Sequence, residues 1–175
     1  MTPLFDTIDY LQYGGPVQQR AYQVLNSYRI IEALNGFSPI LVGTIPLNIN
    51  IQGSDLDILC CFKNKGEFVM AVQNVFSHLE KYTIREKEIK GITTIIANFF
   101  IDGFAVEIFG QSVPVMEQHG YRHMVIEHKI LQEKGEAFRL EIICLKESGL
   151  KTEPAFAQML GLKGDPYIAL LEYEK

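Results

Sequence analysis

Asp55 and Asp57 stand two positions apart at the start of an apolar run, Leu56-Asp57-Ile58-Leu59-Cys60-Cys61-Phe62, which reads as a strand. Side chains alternate across a sheet, so both carboxylates leave the same face while Leu56 and Ile58 enter the other. Two like charges held that close repel, and one would keep its proton unless a divalent cation with oxygen ligands keeps both ionised. A third acid, Glu107, interrupts the apolar run Phe104-Ala105-Val106 and Ile108-Phe109. A carboxylate in such a strand needs a partner, and a cation shared with Asp55 and Asp57 would supply one. Each acid alone also has a plainer reading, as a loop end (Asp55), an ion pair with lysine (Asp57) or an edge-strand residue in water (Glu107). Asp102 is a rival third acid, but its place before Gly103 suits a solvent-facing turn.

The elements that must position these acids follow from periodicity. Apolar residues at Val17, Ala21, Val24, Leu25, Tyr28, Ile31 and Leu34 predict a helix from Pro16 to Asn35, stopped at Asn35-Gly36. Ile40-Leu41-Val42 predicts a short strand closed by Gly43, and Asn48 to Ser54 a loop that delivers the chain to Asp55. A helix is expected from Glu67 to Leu79. Ile92 to Ile101 and Phe104 to Phe109 predict a hairpin about Asp102-Gly103, a dipeptide suited to positive φ. Helices are expected at about Met116 to Leu131, Leu140 to Lys146, Pro154 to Leu160 and Pro166 to Leu171. The fold class expected is α+β, a small mixed or antiparallel sheet with flanking helices and a helical C-terminal part. One domain is expected over residues 1–175, with an α/β core at 16–111 and a helical portion packed on it at 112–175.

Gly43-Thr44, ten intervening residues, Asp55-Leu56-Asp57-Ile58 and the later strand with Glu107 resemble the nucleotidyltransferase superfamily of the DNA polymerase beta type. The chain is also similar, over nearly its whole length, to a bacterial family of unknown function within that superfamily. That likeness runs through Leu41-Val42-Gly43-Thr44-Ile45-Pro46, Gly53-Ser54-Asp55-Leu56-Asp57-Ile58, Val106-Glu107-Ile108-Phe109-Gly110-Gln111, Tyr121-Arg122-His123-Met124 and Leu150-Lys151-Thr152-Glu153-Pro154-Ala155-Phe156. The resemblance implies that Asp55, Asp57 and Glu107 bind Mg²⁺ or Mn²⁺, with Glu107 aiding the catalytic metal or the acceptor hydroxyl. It implies phosphate contact at Gly43, Thr44 and Ser54, with Thr44 keeping a hydroxyl where serine or glycine is usual.

Arg122 is a candidate phosphate or carboxylate clamp, with an ordinary helix ion pair as the alternative, and Lys146 and Lys151 could reach a triphosphate or cap a helix end. His119, His123 and Glu127 share a helix face, which makes zinc conceivable, although solvated surface is the commoner role for such a pair. Thr152-Glu153-Pro154 is read as a helix start. The expected activity is transfer of a nucleoside monophosphate from a nucleoside triphosphate to a hydroxyl of a small molecule or protein. The alternatives are a binding or regulatory module that has lost turnover, since Ile45 to Ser54 holds no basic residue, and a metal-dependent phosphoesterase using the same acids.

A net charge of -5 and a pI near 5.4 argue against broad electrostatic capture of long nucleic acid. Cys60, Cys61 and Cys144 are odd in number and two are adjacent, which argues against a disulfide framework and for a reducing, cytoplasmic setting. No basic leader opens the chain, and no apolar segment approaches the roughly 20 residues of a membrane span.

Overall fold

The computed structural model describes residues 5–173; the first four and last two residues of the expected 1–175 domain lie outside the described residues. The strands are β1 (Ile40–Val42), β2 (Leu56–Cys61), β3 (Glu80–Ile89), β4 (Ile92–Ile101) and β5 (Phe104–Gln111). Among the described residues they form one sheet in the order β1-β2-β5-β4-β3. β2 and β5 run parallel and the other neighbours antiparallel, so the sheet is mixed, as expected. The helices are α1 (Pro16–Ser27), α2 (Ile30–Ala33), α3 (Lys65–Phe76), α4 (His119–Glu147), α5 (Thr152–Leu160) and α6 (Pro166–Leu171).

Alternation along the strands divides the interior. Leu41, Leu56, Ile58, Cys60, Val106 and Ile108 face one core with Val24 and Leu25 of α1 and Phe68, Val72 and Phe76 of α3. Ile40, Val42 and Leu59 face the second, with Met124, Ile130 and Ile142 of α4, Ala155 and Phe156 of α5 and Leu170 of α6. Asp57 and Glu107 belong by parity to this second face, so the C-terminal helices roof the surface from which the acids project.

The hairpin about Asp102-Gly103 forms as expected, both residues taking positive φ (47° and 88°). Three elements differ from expectation. The first helix does not run to Asn35: Arg29 takes φ 51°, which ends α1 and starts the four-residue α2. The two helices expected at Met116 to Leu131 and Leu140 to Lys146 are one element, α4, bent where Gly135 adopts φ 77° and ψ -170°, while Val115–Glu117 is a single 3₁₀ turn. β3 has no counterpart in the sequence reading. Its residues are mostly exposed on both faces, so it lacks the apolar alternation that marks a half-buried strand, and its charges guard a sheet edge.

Candidate active site

The parallel register of β2 on β5 places Asp57 directly beside Glu107, on strands that lie about 4.8 Å apart in any sheet. Asp55 sits just ahead of β2, exposed, two residues before Asp57. The turn after β1 passes over this pair. Gly43 takes φ 86°, and a Cβ built on it would stand 2.6 Å from Asp57 Oδ2, so glycine is required there both by conformation and by the carboxylate that fills the space.

The spacer between Gly43 and Asp55 is held by side chains from two helices. Gln18 Nε2 of α1 donates to the carbonyls of Ile45 (2.9 Å) and Pro46 (3.1 Å). From α4, Arg139 Nη1 donates to Asn48 O (2.5 Å) and Lys146 Nζ to Ile49 O (2.6 Å). Ser54 closes the loop by accepting from Ile51 N (2.9 Å) and from the Thr44 hydroxyl (3.4 Å). The basic groups that the spacer lacks in sequence are thus brought to it from α4.

Glu107 is anchored across the sheet. Asn98 of β4, its register partner, donates through Nδ2 to Glu107 Oε2 at 3.1 Å, and Arg85 of β3 donates to Asn98 Oδ1 at 2.6 Å. The Arg85 guanidinium also stands 3.8 Å from Glu107 Oε2. Neither Arg85 nor Asn98 was singled out from the sequence. Asn98 carries a readable signal, since it interrupts an apolar strand as Glu107 does, whereas Arg85 lies in the strand the sequence did not disclose.

A cleft of about 580 Å³ opens between this sheet face and the helices. Gly43, Thr44, Asp55, Asp57, Glu107, Lys146 and Lys151 all line it, and so do His123, Glu127, Thr152 and Glu153. Arg122 is exposed on α4 and outside that lining, one position from His123 but on another side of the helix, and Ser54 is turned into its own loop. Thr152 and Glu153, read from sequence as a helix start, do begin α5, yet they also form part of the cleft wall. The His119, His123 and Glu127 face is not gathered for zinc: His119 Nδ1 lies 3.3 Å from Lys90 Nζ, while His123 Nε2 donates to Tyr167 O at 2.9 Å and its Nδ1 faces Glu153 Oε1 at 3.7 Å.

The electrostatics follow from this crowding. Burial, then the charges of Asp55, Glu107 and Glu153, pushes the Asp57 carboxyl up to about 7. Burial pushes the Lys146 ammonium down to about 8 against the opposing pull of Glu127, Glu153 and Asp55. Glu127, almost wholly buried, is held well above the usual carboxylate range by desolvation and by Glu153.

Oxygen donors crowded until one retains a proton are a set that a hard divalent cation would relieve. Among the described residues no three His, Cys, Asp or Glu side chains are gathered as a ready cage.

A family model described as "Domain of unknown function (DUF4269)" matches residues 23–173. No curated protein matches the sequence. Solved structures share the fold. One is the Cid1 poly(U) polymerase with MgGTP bound, at TM-score 0.50 and 13% identity, covering 73% of this chain and 40% of that one. Another is the GLD-2/RNP-8 complex, at TM-score 0.52 and 12% identity, covering 87% and 57%. A third is the polymerase core of TRAMP, an RNA surveillance complex, at TM-score 0.50 and 10% identity, covering 93% and 51%. The chain therefore spans about half the length of these proteins, and at such identity the likeness is one of nucleotidyltransferase-type fold. Among the described residues no helix is long and apolar enough to cross a membrane.

Proposed function

The chain belongs to the DUF4269 family, and on the chemistry of its cleft we propose that it is a nucleotidyltransferase dependent on Mg²⁺ or Mn²⁺. It moves a nucleoside monophosphate from a nucleoside triphosphate to a hydroxyl of a small molecule or protein. The observation that carries this reading is the pairing of Asp57 with Glu107 in register on parallel strands, under the Gly43 turn and facing lysines across the cleft. Asp55, Asp57 and Glu107 would hold the divalent cation, which when bound would supply positive charge to the triphosphate and the reacting oxygens.

The chain's own groups do the rest. Asn98, with Arg85 behind it, fixes Glu107 so that its carboxylate accepts the proton of the acceptor hydroxyl. The hydroxyl oxygen bonds to the α-phosphorus, the bond from that phosphorus to the β-phosphate bridge breaks, and pyrophosphate departs. Lys146 and Lys151 on the helical wall meet the negative charge of the leaving pyrophosphate. The main-chain N–H groups of the Gly43-Thr44 turn meet phosphate oxygens, while the missing Cβ at Gly43 makes room for the Asp57 carboxylate.

Calorimetric titration of nucleoside triphosphates with Mg²⁺ or Mn²⁺ into the wild type and Asp57→Ala tests the reading. Binding that requires both the metal and Asp57 supports it; binding indifferent to both refutes it. The basic-free spacer favours a second reading, a module that binds nucleotide without turnover. Incubation with α-labelled ATP and a mixture of small-molecule acceptors separates the two, since only an enzyme releases pyrophosphate and transfers label.

A further inference from the structure

The helical wall of the cleft carries more carboxyl groups than the proposed chemistry uses. Five carboxylates line the cleft, Asp55, Asp57, Glu107, Glu127 and Glu153, against two lysines. The three on or beside the sheet are those assigned to the cation. Glu127 of α4 and Glu153 of α5 stand on the opposite wall.

Glu127 is the anomaly. It is 3% exposed, and its Oε1 atom is buried without a hydrogen-bond partner although the residue forms part of the cleft lining. Buried carboxyl oxygens are nearly always paired, so an orphan on a cleft wall marks a position where a donor from outside belongs. Lys146 on the same wall attracts Glu127 electrostatically, but its ammonium donates to Ile49 O at 2.6 Å and makes no hydrogen bond to Glu127 Oε1. Glu153 is the second acceptor of the wall, with His123 Nδ1 at 3.7 Å from its Oε1 and the His123 ring fixed in turn by Tyr167 O. A bound magnesium nucleotide is itself anionic, so it brings no net positive charge to this wall.

We infer that Glu127 and Glu153 form a subsite for a protonated amino group, and that the acceptor is a small molecule carrying such an amine beside its hydroxyl. The hydroxyl half rests on the transferase reading above; the amine half stands on residues that reading does not use. An ammonium has three donors and no acceptor, which matches an orphan carboxyl oxygen with a second carboxylate nearby. Its charge draws the Glu127 carboxyl into its ionised form, and burial makes the pair selective, because an uncharged analogue cannot ionise Glu127 and forgoes the charge-assisted pair. The cleft volume of about 580 Å³ suits a nucleotide and a small second molecule.

The test uses two pairs of probes, ethanolamine and glucosamine, each against its uncharged N-acetyl form. Binding is followed by calorimetry and by carboxyl ¹³C shifts in the wild type, Glu127→Gln, Glu153→Gln and Asp57→Asn. At least one amine is expected to bind the wild type roughly tenfold or more tighter than its N-acetyl partner, the size of one charge-assisted pair. That preference is expected to vanish in Glu127→Gln and to persist in Asp57→Asn. Equal binding of both forms in both pairs, or a preference that survives in Glu127→Gln, overturns the inference. Should Glu127→Gln not fold, the partly exposed Glu153→Gln carries the same comparison. An amine preference without metal-dependent nucleotide binding would refute the transferase reading and leave the subsite standing, and nucleotide binding without the preference would do the reverse.

Discussion

Asp57 concentrates the energetics of the cleft in one side chain. Its ordinary value is 3.8 and its folded value about 7, so between those values the folded chain keeps a proton that the unfolded chain has released. Stability of the metal-free protein therefore falls as pH rises through that window, by at most about 1.4 kcal/mol per unit of the shift. Thermal melts from pH 4 to pH 8 are expected to show this decline and to show it flattened in Asp57→Asn, with Mg²⁺ plus nucleotide restoring the wild type at the upper end. Lys146 acts in the opposite sense on function. Its ammonium, lowered to about 8, must be charged to meet phosphate, so kcat/KM for the nucleotide is expected to fall as pH rises through about 8. Lys146→Arg, which keeps its charge, is expected to remove that limb from the pH profile. The sequence singled out both residues, but not the burial that gives them these properties, because burial is set by α4 and α5 closing over the sheet.

Two glycines separate the site from its scaffold at the level of elements. Gly43→Ala would drive a Cβ to 2.6 Å from Asp57 Oδ2 at a φ of 86°, so a loss of turnover of roughly tenfold or more is expected along with about 1 kcal/mol of stability. In β5, Gly110→Ala meets the Phe68 ring of α3 at 2.3 Å, and a cost of about 1–3 kcal/mol is expected by denaturant titration. Because Gly110 faces the other core, nucleotide affinity per folded molecule should be unchanged in that variant. The same two-sidedness explains what could be read beforehand. Gly43, the apolar run of β2 and the Asp102-Gly103 hairpin have local signals of turn chemistry and period. The bend at Gly135 has one only in hindsight, since a lone glycine between helical segments reads equally as a break or as a bend. β3 has almost none, because its pairing with β4 does not require an apolar face.

At the scale of the molecule, the sheet separates two cores, one under α1 and α3 and the other under α4, α5 and α6. Phe156 is fully buried in the second, packed edge-on to Phe138, and Phe156→Ala is expected to cost about 3–5 kcal/mol by denaturant unfolding. The same variant should weaken nucleotide binding, since α5 carries Glu153 and is preceded by Lys151. Local sequence by itself determined the helices and strands with strong period, the strand that carries Asp57, and the turn at Gly43, because each depends on neighbours a few residues away. Only the tertiary structure decided that Asp57 lies beside Glu107, that Arg85 and Asn98 brace Glu107, and that Glu127 and Glu153 share the cleft while Arg122 does not. Those relations join residues dozens of positions apart, through strand register and helix packing. No local spacing encodes which side of a helix will meet a sheet assembled elsewhere in the chain.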